Sequence, residues 1–284
     1  MAIVSSDTTA VTDSTAAHGE SIGGWITAHL QNSPEWHPFP GVHIHLPQFE
    51  SVHFLGMQID LSITNHVVML WFAAFFVLLM FLVGLKPKEK IQKGLGSLLE
   101  MLVVFIRDEV AIANMGEKEG RRFTPFLVTA FFFVLISNLM GLIPIFTTST
   151  ANINVTAGLA LTTFFATQYF GVKEQGLIGY YKNLVPHGVP ILLWPLMFVI
   201  ELMGLIAKHV ALTIRLFANM NAGHIVLFAF LGLIILFKSY FVSPVSVGFG
   251  IFVYFLELLV AFIQAYIFTV LSALFIGMSV NPDH

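Results

Sequence analysis

Cysteine is absent from the 284 residues of this chain, and charged side chains are scarce. Without a thiol the chain can form no disulfide, no thiolate nucleophile and no thiolate metal site. Only 10% of the residues are charged and 57% are hydrophobic, whereas roughly a quarter of a soluble domain is charged. The composition predicts an integral membrane protein, and the net charge of -3 gives no reason to propose a nucleic acid partner.

Lysine and arginine are missing from residues 1–85. Basic residues accumulate on the cytoplasmic side of a membrane, so we expect the N-terminus outside and the C-terminus in the cytoplasm. The first residues have neither a basic nor an apolar stretch, so no cleavable signal peptide is predicted. Most of the basic residues lie between or beside hydrophobic segments, at Lys86, Lys88, Lys90, Lys93, Arg107, Lys118, Arg121, Arg122, Lys173 and Lys182.

Residues 1–60 are predicted to form an external, partly disordered segment, and residues 61–284 a helical membrane domain. Residues 1–35 are rich in Ser, Thr, Ala and Gly, and the alternation from Val42 to Leu46 suggests a short extended element. The histidines of this segment raise the question of a metal site: His37, His43, His45 and His53. They have neither helical ligand spacing nor a carboxylate pair, so an exposed cap is favoured, and we expect no metal and no cofactor.

The predicted fold class is an all-α integral membrane protein with five membrane-crossing helices and one helix on the cytoplasmic surface. The crossings are predicted at about 66–85, 124–146, 153–172, 190–237 and 246–279. Each is long enough for a hydrocarbon layer of ~30 Å. The surface helix is predicted over 97–113, because its apolar stretch is too short to cross before Arg107-Asp108-Glu109.

The fourth crossing is too long to stand upright, since its roughly 48 residues would reach ~72 Å as a helix. Polar residues seven positions apart lie on one helical stripe, and Glu201, Lys208, Arg215 and Ala222 follow that spacing. One continuous, steeply tilted helix is therefore predicted. The last helix is predicted to run the same way, with one face formed by Tyr254, Glu257, Ala261, Gln264 and Leu271.

Arg215 is the most informative residue of the membrane domain. Its charge cannot be removed by deprotonation, and an arginine near the centre of a bilayer helix costs roughly 2.5–3.5 kcal/mol on insertion scales. One interpretation is structural, with the arginine paired inside a helix bundle. Small residues on its stripe, Ala211, Ala218 and Ala222, favour the other: they let another helix approach, which indicates a site for a partner's carboxylate.

His224 and Glu257 are isolated ionisable residues in the last two helices. A lone histidine is usually a packing residue. An unpaired carboxylate within a membrane is costly, however, and a histidine on a neighbouring helix can satisfy it and exchange protons near neutral pH. The two residues are therefore predicted to touch and to relay protons.

The segment Arg215-Leu-Phe-Ala-Asn219-Met-Asn-Ala-Gly223-His224 closely resembles subunit a of the F-type ATP synthases. The supporting matches are Asn138-Leu-Met-Gly141-Leu-Ile-Pro144 and Glu257…Gln264-Ala-Tyr-Ile-Phe, and the resemblance covers about 60–284. It implies a transmembrane helix, a surface helix, a short hairpin and two long tilted helices that curve along a ring of c subunits.

The resemblance also implies roles for individual residues. Arg215 matches the essential arginine that meets each rotor carboxylate and blocks proton leakage between two offset half-channels. The outer half-channel is matched by Asn219, Gln264, His224 and Glu257, the inner one by Glu201, and a polar access route by Asn138, Asn152 and Asn154. Some members carry an acid at the position of His224 and a histidine at that of Glu257, an exchange that keeps one acid and one imidazole.

The function predicted from the sequence is a proton-translocating stator subunit that is not itself a catalyst. The implied partners are the c-ring, the peripheral-stalk b subunits and the lipid bilayer, and the implied location is the inner membrane of a bacterium. A self-contained secondary transporter is the alternative; such proteins usually show internal repeats and broken helices. A structural scaffold is a third interpretation. Whether the coupling ion is H⁺ or Na⁺ is decided by the binding site on the rotor.

Overall fold

The computed structural model describes residues 35–36, 44–48, 52–54, 57–59, 62–85, 93–143, 146, 148–185, 189–237 and 242–280. Helices dominate these ranges. We number the longer ones α1 (Asn65–Gly84), α2 (Leu95–Phe105), α3 (Glu117–Gly141), α4 (Ile153–Gln175), α5 (Leu177–Asn183), α6 (Trp194–Phe237) and α7 (Val242–Val280).

Two small antiparallel ladders precede the helices. Strand β1 (Glu35–Trp36) pairs with β2 (Ile44–His45), and β3 (Val52–Phe54) pairs with β4 (Met57–Ile59). The extended element predicted around Ile44 and His45 is therefore confirmed. Most of residues 1–60 lie outside the described ranges. So do His37 and His43, two of the four histidines considered above as metal ligands. The boundary at residue 60 between the external segment and the membrane domain stays a prediction.

Within the described ranges, four helices are long and apolar enough to cross a membrane: α1, α3, residues Trp194–Leu227 of α6 and residues Ser243–Val280 of α7. The all-α integral membrane fold is thus confirmed. Helix α4 has 23 residues, which at 1.5 Å per residue is also sufficient, but its threonines make it less apolar. The total of five crossings stays a prediction.

The segment predicted as a surface helix is a run of three helical pieces. Helix α2 continues without a break into a π-helical stretch, Ile106–Ile112, and a last α-helical turn, Ala113–Met115. Its side chains at Ile106 and Val110 are fully buried in the core, so this run packs against the bundle. Its position at the membrane surface stays a prediction.

Helix α3 begins at Glu117, seven residues before the predicted 124. Gly116 precedes it with a φ of 79°, which glycine adopts without strain. Gly120 then lies so close to Ile112 that an added Cβ would come within 2.6 Å of the Ile112 Cα. The tight turn folds α3 back onto the π-helical stretch, and this contact positions α3 in the centre of the bundle.

Helices α6 and α7 are each continuous, with 44 and 39 residues, which confirms the prediction of two long helices. At 1.5 Å per residue α6 is about 66 Å long, more than twice the hydrocarbon thickness. The helices pack together over Leu212 and Leu216 of α6 and Ala265 and Phe268 of α7, all buried. Fully buried alanines such as Ala265 allow the two backbones to approach closely.

Candidate functional site

Arg215 lies near the middle of α6 and is half-buried. Among the described residues, none forms a hydrogen bond or ion pair with its guanidinium group. The alanines on the same side of the helix are all exposed: Ala207, Ala211, Ala218 and Ala222. We call this surface the Arg215 face. It is mostly apolar, with Arg215 in its centre, and the exposed side chains of Lys208 and Asn219 lie on the same side of the helix, two turns before and one turn after it.

His224 lies nine residues beyond Arg215 on α6, in a pocket of hydrogen-bonding groups. Its Nδ1 is 2.9 Å from the carbonyl oxygen of Met220. Its Nε2 is 2.8 Å from the hydroxyl of Thr148 and 3.0 Å from the carbonyl oxygen of Gly141. Because Gly141 and Thr148 lie at the end of α3 and in the loop after it, this pocket joins α6 to the α3–α4 connection.

These contacts suit both protonation states of the imidazole. A carbonyl oxygen only accepts, so in the neutral ring Nδ1–H donates to Met220 and Nε2 accepts from the Thr148 hydroxyl. In the protonated ring Nε2–H can donate to Gly141 instead. The Thr148 hydroxyl lies 3.4 Å from the same Gly141 oxygen and can turn to it when the ring is protonated. The pocket can therefore hold a proton on His224 or release it without leaving the ring unpaired.

Glu257 of α7 faces the same ring from the other side. Its Oε1 lies 3.8 Å from Nδ1 of His224, and the two side chains are 11% and 13% exposed. Its carboxylate packs directly on Gly223, where any Cβ would collide with it. The structure thus brings His224 and Glu257 together, at ion-pair distance and not at hydrogen-bond distance. We call Gly141, Thr148, Gly223, His224 and Glu257 the His224–Glu257 cluster.

Asn219 and Gln264 form a second link between α6 and α7. The Asn219 amide donates to Oε1 of Gln264 at 2.7 Å. Gln264 is buried, and its Nε2 has no hydrogen-bond partner among the described residues. Asn219 is one helical turn from Arg215, so this amide pair lies between Arg215 and the His224–Glu257 cluster. The resemblance assigned Asn219, Gln264, His224 and Glu257 to the outer half-channel, and that role stays a prediction.

The three asparagines predicted to form a polar access route have other described contacts. Asn138 is buried and its Oδ1 accepts from Thr150 at 2.9 Å. The Asn152 side chain accepts from the backbone N–H of Asn154 at 2.9 Å and so caps the start of α4. No hydrogen bond among the described residues joins them to His224 or Glu257. Their role in access stays a prediction.

The other half of α6 borders a cavity of about 180 Å³. Its polar lining comes from four helices: Glu201, Lys208 and His209 of α6, Thr167 and Gln175 of α4, Tyr180 of α5 and Ser279 of α7. We call it the Glu201 cavity. Glu201 was the one residue predicted here. Lys208 shares the seven-residue spacing of Glu201 but was given no role in a site. No motif links the other lining residues, although a histidine beside Lys208 in an apolar helix was an available signal.

Arg215 separates the two polar regions. Glu201 precedes it by 14 residues and His224 follows it by 9, which correspond to about 21 Å and 14 Å along the helix axis. Between them α6 is sealed against α7 by fully buried apolar residues, including Leu212, Leu216 and Phe268. The arrangement offers proton-binding groups at two levels of α6.

Comparisons of the chain with a family model and with individual proteins point to the same family. The family described as ATP synthase A chain matches residues 67–277. A protein named ATP synthase subunit a from Chloroherpeton thalassium is 49% identical over 262 residues, which cover 90% of this chain and 77% of that protein. The protein of the same name from Myxococcus xanthus is 52% identical over 229 residues, 80% of this chain and 75% of that protein. One from Pelodictyon phaeoclathratiforme is 45% identical over 286 residues, with 98% and 82% covered.

Proposed function

The chain belongs to the ATP synthase A chain family, and we propose that it is the proton-conducting stator subunit of a rotary ATP synthase. The observation that carries the proposal is the place of Arg215. This permanent cation has no partner among the described residues of its own chain, and it lies between two separate regions of proton-binding groups.

The Arg215 face supports a moving partner. Its exposed alanines leave room for another helix to pass closely, and an unpaired arginine in a membrane calls for an anion. A carboxylate on each subunit of a rotor ring is such an anion. Opposite charge at short range favours the ionised carboxylate, so a rotor carboxylate is held in its ionised form where it meets Arg215.

The two polar regions act as half-channels that open to opposite sides. Lys173 and Lys182 lie on α4 and α5, the helices whose Gln175 and Tyr180 line the Glu201 cavity. Basic residues mark the cytoplasmic side, so the Glu201 cavity is the inner half-channel. The His224–Glu257 cluster, at the other end of α6, is the outer one.

During synthesis a proton enters the outer half-channel and is bound by His224 or Glu257. It passes the Asn219–Gln264 pair to a rotor carboxylate, which becomes neutral and can turn through the lipid. After nearly a full turn the same group reaches the Glu201 cavity and releases the proton. The fixed charge of Arg215 repels any proton that would cross directly between the half-channels.

A self-contained transporter would bind its substrate inside this chain. The described contacts favour the stator, because Arg215 lies on an exposed face and not in the cavity beside Glu201. The partners that follow are a ring of small subunits with membrane carboxylates and, by family, the stalk subunits that hold the stator.

The test uses the complete complex in inverted vesicles and measures ATP-driven proton uptake. Arg215→Ala is expected to abolish uptake while the complex still assembles. Arg215→Lys is expected to be badly impaired, since a compact ammonium is more strongly hydrated and lacks the planar set of donors. Lys118→Ala is the matched control, because it removes a fully exposed cation at the start of α3.

Uptake by the Lys118 control at the wild-type rate, with none by Arg215→Ala, is the expected pattern. Wild-type uptake by an assembled Arg215→Ala complex would overturn the proposal.

A further inference from the structure

His209 is a buried histidine of the Glu201 cavity to which neither the resemblance nor the proposed function gives a role. It lies on α6 between Glu201 and Arg215, and only 6% of its surface is exposed. It lines the cavity together with Glu201 and Lys208. Its Nε2 is buried and has no hydrogen-bond partner among the described residues.

The backbone fixes which ring nitrogen of His209 is free. Nδ1 lies 2.9 Å from the carbonyl oxygen of Leu205, one turn earlier on α6. A carbonyl oxygen only accepts, so Nδ1 carries a hydrogen and donates it. In the neutral ring the other nitrogen then has no hydrogen and presents a lone pair. The unpaired Nε2 is thus a buried proton acceptor on a residue that lines the cavity.

Two aromatic rings hold the imidazole in this orientation. The Phe164 ring meets it edge-on with centroids 5.1 Å apart, and the Phe275 ring lies tilted at 5.1 Å. The ammonium nitrogen of Lys208 also lies over the Phe275 ring, 5.9 Å from the ring centroid.

We propose that His209 is the group of the inner half-channel that takes the proton from the rotor and passes it to cytoplasmic water, which rests on the proposed function. The ionisable side chains that share the cavity with it are Tyr180, Glu201 and Lys208. Glu201 lies eight residues earlier, about 12 Å along the axis. His209 is therefore the nearer of the two proton acceptors to Arg215 on α6.

The transfer balances in two steps. The O–H bond of the rotor carboxylic acid breaks, and its proton moves through water in the cavity to Nε2, forming an imidazolium and a carboxylate. The imidazolium then gives that proton to water on the open side, which restores the neutral ring. A cavity of about 180 Å³ has room for several water molecules.

The experiment compares His209→Ala with His209→Phe in the complete complex, reconstituted into proteoliposomes. His209→Phe keeps an aromatic ring between Phe164 and Phe275 but lacks a nitrogen. ATP synthesis is driven by a potassium diffusion potential at equal pH on both sides, and rates are taken per assembled complex. Each variant is measured with and without imidazole on both sides.

Both variants are expected to lose at least roughly tenfold in rate, as removal of a positioned proton acceptor does. Imidazole is expected to restore the Ala variant, which leaves space for it, and not the Phe variant. A wild-type rate in His209→Phe, or an Ala variant that imidazole does not restore, would overturn the role of His209. The proposed function is tested separately, because only normal pumping by Arg215→Ala would overturn it.

Discussion

The His224–Glu257 cluster and the Glu201 cavity lie on the same helix but are built in different ways. In the cluster, both imidazole nitrogens have partners within 3.0 Å, supplied by α6 itself and by the α3–α4 connection. In the cavity, about 180 Å³ is left open, and Nε2 of His209 has no hydrogen-bond partner among the described residues. One region is filled with fixed groups, and the other leaves space for water.

This difference indicates two ways of moving a proton. In the cluster a proton must sit on a side chain, because neighbouring groups leave it no other position, and its passage depends on exact contacts between α6 and α7. In the cavity, water can carry a proton between acceptors. Substitutions in the cluster should therefore be more damaging than comparable ones in the cavity.

The largest effect is expected from breaking the pair in the cluster. His224→Ala leaves the buried Glu257 carboxylate without its neighbouring imidazole, and Glu257→Ala removes the acid from the pair. Each should lower ATP-driven proton uptake by about 100-fold, at the low end for a positioned proton-transfer group. Uptake per assembled complex is the measurement.

Exchange of the two residues sharpens the test. The double variant His224→Glu with Glu257→His keeps one acid and one base in contact, so it should pump faster than the product of the two single exchanges predicts. Strict additivity of the two effects would show that the residues act separately and would remove the relay from the account.

A smaller loss is expected when the pair is displaced and not removed. A Cβ at position 223 would collide with the Glu257 carboxylate, so Gly223→Ala should push that group from His224. Uptake should fall by about tenfold, less than the roughly 100-fold expected when a proton-transfer group is removed. Gly158→Ala on α4 is the matched control, since a Cβ there meets nothing within 4 Å. Equal rates for the two variants would mean that the close packing on Gly223 has no functional consequence.

The sequence predicted the long helix α6 and the His224–Glu257 pair better than it predicted the residues packed around them. The spacing of Glu201, Lys208 and Arg215 predicted one continuous helix, because that pattern depends on helical geometry alone. The cost of an unpaired carboxylate in a membrane predicted the contact between His224 and Glu257. Thr148 and Gly223 could not be predicted as neighbours of that pair, since their contacts depend on how the α3–α4 loop and α7 pack on α6. The residues that α4, α5 and α7 contribute to the Glu201 cavity could not be predicted either, since their positions also depend on how the helices pack.

The start of α3 was missed for a local reason. The predicted crossing started at 124, after the charged residues from Glu117 to Arg122, but these residues form the first turns of the helix. Arg122 donates to Glu119 at 3.0 Å and to Glu174 of α4 at 2.7 Å, so these charges are paired at the end of the bundle.

The smallest effect is expected at the edge of the cluster, where Asn152 caps α4. Asn152→Ala should lower the stability of the extracted subunit by about 1 kcal/mol, the usual value for a lost N-cap, with proton uptake per assembled complex within about twofold of wild type, as a stability effect alone would give. Asn152→Asp keeps a capping oxygen and should retain the wild-type melting temperature. An unchanged melting temperature for Asn152→Ala would contradict the cap, and a large loss of uptake would identify Asn152 as part of the access route.

The central claim is that the two regions open to opposite sides of the membrane, and thiol labelling tests it directly because the chain has no cysteine. Single cysteines are placed at Leu205, which lines the Glu201 cavity, and at Asn154, which is exposed beside the loop that reaches His224. A membrane-impermeant maleimide is applied to intact cells and to inverted vesicles. The account predicts that Asn154→Cys reacts only in intact cells and Leu205→Cys only in inverted vesicles; reaction of both from the same side would contradict it.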